Sequence, residues 1–294
     1  MNRFFFFFIL LFLNLSLINA YAESPIQSDV IYGEDNRKDL YEIEDQQILN
    51  LVQSTVALVR TRDLTAVSED KFSINLKPYG ESKNLCEDEA FYNQPLGPYC
   101  SGFLVAPNKI MTAGHCIRTE SNCQGVSFVF GFNYDHPNKD LQEVSKNEVY
   151  FCKKLIHSVV NGTGHDFAVV ELDREVADHA PLSIRQEGEI QKDTPVFVAG
   201  HPVGLPLKVA GGAQVREVKQ EFFVANLDTF GGNSGSAVFN AKNGQIEGIL
   251  VRGETDFVFK TKSDGTKCRA SNFCTDSGCR GEDVTKITEA LDYL

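Results

Sequence analysis

Short apolar runs separated by turn residues fill most of the chain from residue 55 onward. The runs hold four to six residues each, rich in Val, Ile and Phe, and are bounded by Gly, Pro, Asn or Asp. Such runs are typical of β-strands. The clearest are residues 55–59, 102–105, 127–130, 167–170, 196–199 and 246–251. Because no long helical pattern separates them, the sequence predicts an all-β sandwich or barrel.

A different period marks the end of the chain. After a turn at Gly281, apolar residues recur at steps of three and four, at Val284, Ile287, Ala290, Leu291 and Leu294. This spacing places apolar side chains on one face of a helix. We therefore predict a C-terminal amphipathic α-helix that packs against the β structure.

The N-terminus has the pattern of an export signal. A basic start at Arg3 is followed by an apolar run over residues 4–13 and by small residues at Ala20 and Ala22, as in secretory signal peptides. A retained membrane anchor is the alternative, but the run is shorter than the ~20 residues that span a bilayer. We predict that residues 1–22 are a signal peptide and that no stable membrane anchor remains after its removal.

Charge and cysteine content narrow the classes of partner and compartment. The formal net charge is −12, from 28 Lys and Arg against 40 Asp and Glu, so an acidic surface disfavours nucleic acid. An even number of cysteines behind an export signal predicts disulfides in an oxidising compartment, extracellular or periplasmic. The eight are Cys86, Cys100, Cys116, Cys123, Cys152, Cys268, Cys274 and Cys279.

Zinc binding is the competing use of these cysteines. Structural zinc sites usually contain two Cys pairs with two to four residues between partners. Here Cys274 and Cys279 have four residues between them, and no matching second pair exists in the sequence. Disulfides are therefore the favoured use, and we expect no metal.

Three short motifs carry candidate chemistry. Thr-Ala-Gly-His-Cys occupies residues 112–116, an Asp opens the apolar run within residues 164–170, and Gly-Gly-Asn-Ser-Gly-Ser occupies residues 231–236. Taken singly, each has a structural interpretation: a packed His, a turn-capping Asp and a glycine-rich turn. Their order along the chain is His, Asp, Ser, whereas α/β-hydrolases run Ser, Asp, His and subtilisins run Asp, His, Ser.

In these motifs and their order the chain resembles the chymotrypsin-fold serine proteases, most closely the bacterial glutamyl-endopeptidase-like and trypsin-like members. The resemblance implies two antiparallel six-stranded β-barrels with a C-terminal α-helix. We expect the first barrel in residues 50–180 and the second, with the helix, in residues 181–294. Residues 23–49 are then a polar tail or pro-segment.

The resemblance also implies roles for individual residues. His115 would take the proton of the Ser234 hydroxyl, which is a poor nucleophile without such a base. Asp166 would orient the imidazole and stabilise its cation. The backbone amides of Gly232 and Ser234 would form the oxyanion hole. The predicted activity is hydrolysis of protein or peptide substrates by a monomer, without a metal or organic cofactor.

The family's histidine-loop disulfide implies a bridge between Cys100 and Cys116. Cys123 and Cys152 form a reasonable second pair, since both lie in the N-terminal half outside the core motifs. The other four cysteines share two further bridges, and the sequence leaves all three pairings open.

Substrate specificity and activation are where the sequence departs from the family. Asn233 precedes the nucleophile, where many zymogens carry an Asp that pairs with a new N-terminus, so we expect that switch to be absent in its usual form. Asp228 is either the base of a pocket for Arg or Lys or a cap for nearby amides. Leu250 replaces the His of glutamyl endopeptidases. Val251 and Gly253 would border the pocket.

Two other functional classes remain as alternatives. A binding or adhesion module could be built on an inactive protease fold, although such proteins usually lose a triad member and all three are present here. A secreted zinc-stabilised domain is the second alternative. A reagent that labels active serines tests the first, and mass measurement with and without reductant tests the second.

Overall fold

Twelve strands build two barrels in the computed structural model, which describes residues 30–162 and 164–294. The predicted signal peptide, residues 1–22, lies outside the described residues, as do residues 23–29 of the predicted tail. Within the described ranges, no helix combines the length and the apolar character needed to cross a bilayer.

The first barrel is a closed six-stranded antiparallel sheet. In chain order its strands are β1 (Thr55–Arg60), β2 (Cys100–Ala106), β3 (Lys109–Thr112), β4 (Val126–Val129), β5 (Val149–Val160) and β6 (Asp166–Leu172). Around the barrel they follow the order β4-β5-β6-β3-β2-β1, and β1 pairs with β4 to close it. Closure leaves this barrel sheet without an open edge.

The second barrel has the same strand number. Its strands are β7 (Pro195–Gly200), β8 (Lys208–Val218), β9 (Phe222–Ala225), β10 (Ala237–Asn240), β11 (Ile246–Arg252) and β12 (Glu282–Lys286). The order β7-β10-β11-β12-β9-β8 is closed by pairing between β7 and β8. The predicted fold class of two antiparallel six-stranded barrels is confirmed.

Shorter elements fill the connections. Further strands are Ile31–Tyr32, Arg37–Lys38, Leu64–Ala66, Lys71–Ile74, Lys77–Pro78, Pro95–Leu96, Glu143–Ser145, Phe257–Thr261, Lys267–Ser271 and Phe273–Cys274. The α-helices are Gln46–Val52, Tyr79–Lys83 and Glu120–Gln124. The 3-10 helices are Leu40–Glu42, Thr61–Asp63, Lys146–Glu148, Pro202–Gly204 and Ile287–Tyr293.

Alternation along the strands builds two apolar layers in the second half. In β7, Val196 and Val198 point into the second barrel, whereas Phe197 belongs to the large core that continues into the first barrel. This alternation is the two-residue period of a strand. Because Phe197 stacks on Phe239 with ring centroids 4.6 Å apart, the barrels share a packed apolar interface.

The C-terminal helix differs from the prediction in type and start. It is a 3-10 helix over Ile287–Tyr293, and Val284 lies in strand β12 instead. Val284 pairs with Phe223 on one side and with Leu250 on the other. The helical period therefore mixed residues of a strand with those of the following helical turn.

The described part of the predicted tail is packed against the second barrel. Ile31–Tyr32 pairs in parallel with Phe273–Cys274, and Arg37–Lys38 adds an edge to β8. Val30 and Ile31 have no exposed surface. This segment is polar on average, but a few buried apolar side chains attach it to the second barrel. Burial of a few large side chains is enough to stabilise such a contact.

Four disulfides use all eight cysteines. The structure pairs Cys100 with Cys116 and Cys123 with Cys152, the two pairs that the sequence suggested. The sequence left three pairings open for the other four cysteines, and the structure pairs Cys86 with Cys268 and Cys274 with Cys279. The first of these spans 182 residues and the second spans 5. Their number indicates an extracellular or periplasmic protein.

Candidate active site

His115 and Asp166 are brought together by adjacent strands of the first barrel. His115 follows β3, and Asp166 is the first residue of β6, which pairs with β3. Between β3 and His115, a Cβ on Gly114 would lie 2.1 Å from the Val159 carbonyl oxygen, so a side chain has no room there. The loop can therefore pass close enough to β5 to present His115 to the carboxylate.

The Asp166 carboxylate holds His115 through two hydrogen bonds. One oxygen accepts from His115 Nδ1 at 2.8 Å and the other accepts from the His115 backbone amide at 3.0 Å. Asp166 is only 1% exposed, so these bonds form away from bulk water. Because an ionised carboxylate accepts and does not donate, Nδ1 carries a hydrogen, and Nε2 of neutral His115 is left as a base.

Ser234 is held by its backbone between the two barrels. The Ser101 amide of β2 donates to the Ser234 carbonyl at 2.9 Å, and the Gly235 amide donates to the Leu250 carbonyl of β11 at 2.8 Å. Gly235 has φ +88°, and a Cβ there would lie 2.1 Å from the Ser101 carbonyl oxygen. The motif's Gly after Ser is thus required by conformation and by space.

A surface cavity joins the groups from the two barrels. Its volume is about 570 Å³, and its lining includes both His115 and Ser234. Asp166 lies behind His115, where it contacts the imidazole and not the cavity. The structure therefore places the oriented imidazole of His115 and the residue Ser234 on the walls of one cleft.

The backbone amides that were predicted to form an oxyanion hole are those of Gly232 and Ser234. Within the described residues, neither the Gly232 amide nor the Ser234 amide donates a hydrogen bond to the protein. The Gly231 carbonyl accepts from the Val203 amide at 2.7 Å. Because a trans peptide points its C=O and N–H in opposite directions, this bond fixes the direction of the Gly232 N–H.

Val203 occupies a strained backbone conformation in doing so. Its φ is +51°, which is rare for a β-branched residue. A Cβ on Gly232, whose own φ is +90°, would lie 3.3 Å from the Val203 backbone. The contact between the two turns is thus close, and both line the cavity.

Asn233 is held in the turn by neutral hydrogen bonds. Its Nδ2 donates to Thr229 Oγ1 at 2.5 Å, and its Oδ1 accepts from Ser236 Oγ at 2.8 Å. The side chain is buried, at 2% exposure. These partners stabilise the turn without a charge at this position.

Asp228 lies apart from the cavity that contains Ser234. Its two carboxylate oxygens accept from the backbone amides of Tyr32 and Asn36, at 2.7 and 2.9 Å. Burial raises the pKa of Asp228 to about 6, although both amide bonds act in the opposite direction. Of the two interpretations left open by the sequence, these contacts favour the amide cap and do not favour a pocket base.

The other predicted pocket residues also lie outside that cavity. Leu250 belongs to the core of the second barrel, and Val251 belongs to the shared core. The Gly253 carbonyl accepts from Arg280 Nη1 at 3.0 Å. The Leu250 side chain is 1% exposed, so its predicted place in a pocket wall is not what the structure shows.

Several lining residues were not found from the sequence. They are Arg60, Lys83, Pro98, Tyr99, Val203 and Asp256. They come from separate loops, a strand end and a helix end, so no local motif marks them. Gly231 also lines the cavity, and the sequence marked it only as part of a glycine-rich turn.

One close group of metal-binding residue types occurs in the described part of the chain. It combines His115 with Cys100 and Cys116, whose ligand atoms lie within 4.8 Å of one another. Both sulfurs belong to the Cys100–Cys116 disulfide and are not thiolates. The donor set therefore does not fit a zinc site.

Comparisons with known proteins agree with this description. The model of the family "Trypsin-like peptidase domain" matches residues 100–249, just over half of the chain. The chain therefore belongs to the trypsin-like peptidase family and is a serine endopeptidase. A search of curated proteins by sequence gives no match.

Two solved structures are among those similar to this chain. A Glu endopeptidase in complex with MPD matches with a TM-score of 0.48 and 20% identity, over 83% of this chain and 94% of that chain. The VesB protease of Vibrio cholerae matches with a TM-score of 0.51 and 14% identity, over 88% of this chain and 66% of that chain. At this identity the VesB similarity establishes the shared fold alone.

Proposed function

We propose that the chain hydrolyses peptide bonds through an acyl-enzyme on Ser234, with His115 and Asp166 completing the triad. One observation carries the proposal: the imidazole that Asp166 orients lines the same cavity as the Ser234 hydroxyl. In that arrangement His115 Nε2 is the base available to the hydroxyl.

The proposed reaction has two halves. Ser234 Oγ attacks the carbonyl carbon while His115 takes the hydroxyl proton, and the oxyanion forms at the Gly232 and Ser234 amides. His115 then gives that proton to the leaving amine, and the C–N bond breaks. In the second half water repeats the attack on the ester, and Ser234 is released with its proton.

A fluorophosphonate probe tests the nucleophile directly. We expect labelling of the purified chain, and we expect it to be lost in Ser234→Ala. Ser121→Ala is the matched control, because Ser121 is exposed on the short helix Glu120–Gln124, away from the cavity. Equal labelling of wild type and Ser234→Ala would contradict the proposal.

The finer specificity is a separate proposal. A preference for Arg or Lys at the cleaved bond was predicted from Asp228, and a buried carboxylate would favour a cationic partner. The two amide bonds to Asp228 weaken that prediction because they already satisfy the carboxylate. Peptides that carry Arg, Phe or Glu before the cleaved bond separate the cases, and a preference for Glu would exclude the role of Asp228.

Export and activation complete the proposed function. We infer that residues 1–22 direct secretion and that activation does not depend on an ion pair at Asn233, since an amide is neutral. N-terminal sequencing of the active secreted form shows whether that form begins at Glu23 or near Val30. Activity that requires one cut near Val30 and an ion pair of the new N-terminus with the Ser234 turn would contradict the second inference.

A further inference from the structure

Two cations share the cavity that contains Ser234. Arg60 stands at the end of β1, and its guanidinium lies 4.8 Å from the centre of the Tyr99 ring. Lys83 ends the helix Tyr79–Lys83 on another wall. Neither residue takes part in a salt bridge with a carboxylate within residues 30–162 and 164–294. In a chain of net charge −12, two unpaired cations in the cleft are a local reversal of charge.

The cavity lining also contains a carboxylate, that of Asp256, which accepts a hydrogen bond from the backbone. Asp256 Oδ1 accepts a hydrogen bond from the Gly231 amide at 3.0 Å, next to the turn that contains Ser234. This contact ties the carboxylate to the Gly231 wall. Two positively charged side chains and one negatively charged side chain therefore line the cavity. This balance favours the binding of an anionic group.

The arrangement of Arg60 favours a carboxylate in particular. Its stacking on Tyr99 orients a planar guanidinium, whose paired N–H groups match the two oxygens of a carboxylate. Burial raises the pKa of Tyr99 to about 12, so the ring beneath the cation is neutral at physiological pH. An oriented guanidinium also loses less conformational freedom when it binds.

The position of the cavity indicates which part of a substrate would reach these cations. Its walls include the Cys100–Cys116 disulfide and Val203 but no residue of strand β11. The disulfide lies beside His115, which protonates the leaving amine in the proposed reaction. The chain that follows the cleaved bond would therefore leave through this cavity.

We propose that Arg60 and Lys83 select substrates with an acidic side chain in the first few residues after the cleaved bond. This specificity rests on the proposed function of the same site. The cavity volume of about 570 Å³ is in the range of ligand sites and has room for such a segment.

Peptides with one acyl part and variable leaving parts test the specificity. Glu, Gln or Lys is placed at each of the first three positions after the cleaved bond, and kcat/KM is measured at low and high salt. We expect Glu to exceed Gln by about fivefold at the best position, as for one partly exposed ion pair. The ratio should shrink in 0.5 M NaCl because salt screens the charges.

Charge variants assign the effect to the two residues. Arg60→Gln with Lys83→Gln should bring the Glu/Gln ratio to about one, and Arg60→Glu with Lys83→Glu should make Lys the preferred residue. Arg62→Gln is the matched control, since Arg62 is an exposed cation two residues from Arg60 that does not line the cavity. It should leave the ratio at its wild-type value.

The outcomes separate this specificity from the proposed function. Cleavage of the Glu, Gln and Lys peptides at equal rates would refute the acidic preference and leave the peptidase intact. An acidic preference confined to residues before the cleaved bond would also refute it. Failure to cleave any peptide, together with no fluorophosphonate labelling, would instead remove the proposed function itself.

Discussion

The two halves of the site are held in place by different parts of the chain. In the first barrel, a side chain does the positioning: Asp166 binds both the ring and the backbone amide of His115. In the second barrel, backbone contacts do it: the Ser234 carbonyl and the Gly235 amide bind strands β2 and β11. The first half should therefore respond to changes of chemistry and the second to changes of shape.

The largest expected effect is on the side-chain half. Asp166→Asn keeps the size of the residue but can donate a proton to His115 Nδ1, which favours the tautomer with no lone pair on Nε2. We expect kcat to fall by about 10⁴-fold while KM changes little. Peptide hydrolysis measured at substrate saturation gives the value. A fall below tenfold would mean that the carboxylate does not set the tautomer.

The next effect is on the backbone half. Gly235→Ala places a Cβ 2.1 Å from the Ser101 carbonyl oxygen. The φ of residue 235, +88°, is also one that alanine rarely adopts. We expect loss of activity and a decrease of about 3 kcal/mol in the free energy of unfolding. Urea unfolding followed by circular dichroism measures the change.

Gly265→Ala is the control for that prediction. Gly265 has φ +83°, but a Cβ there would meet no atom within 4 Å. It should therefore show only the conformational cost, about 1 kcal/mol, with activity retained. If both variants lost the same stability, close contact between the barrels would not be what makes Gly235 necessary.

The effect that is smallest at neutral pH concerns a second histidine at the barrel interface. His201 donates its backbone amide to Ser101 Oγ at 2.8 Å, and its ring Nδ1 donates to the Leu205 carbonyl at 3.1 Å. Burial lowers the pKa of this imidazole to about 3. The unfolded chain, with an ordinary pKa near 6.5, then binds more protons between these two values.

This difference makes the unfolding free energy depend on pH. The contribution of His201 is complete above about pH 6.5 and is lost as pH falls towards 3, with a slope of up to about 1.4 kcal/mol per pH unit. His201→Gln should lack that slope in urea titrations at pH 7, 6, 5 and 4. Asp228 titrates near pH 6 with the opposite sign, but it is common to both proteins and cancels in the difference. Parallel curves would contradict a neutral buried imidazole.

The fold and the family were predictable because their signals are local. Apolar runs of four to six residues mark half of the twelve barrel strands, and each candidate catalytic residue sits in a motif of a few residues. Closure of the barrels follows from many such strands with short connections. The order of the three motifs then separated this family from others with the same residue types.

What the sequence missed depends on contacts between distant segments. The carboxylate of Asp228 accepts a hydrogen bond from the backbone amide of Tyr32, which is 196 residues away in the sequence. No local pattern could have predicted that partner. Arg60 and Lys83 meet in one cavity only because a strand end and a short helix converge there. At the C-terminus the spacing was ambiguous, since Val284 fits a helical period and also pairs in β12.

The Cys86–Cys268 bridge has a consequence for a molecule whose chain is cleaved once by a peptidase. It encloses His115, Asp166 and Ser234 in one covalent ring, together with ten of the twelve barrel strands. A single nick anywhere inside that ring leaves the pieces attached, and the intact ring restricts the unfolded chain by about 5 kcal/mol in the entropic model. A nicked molecule would migrate as one species until a reductant is added, and it could retain its assembled cleft.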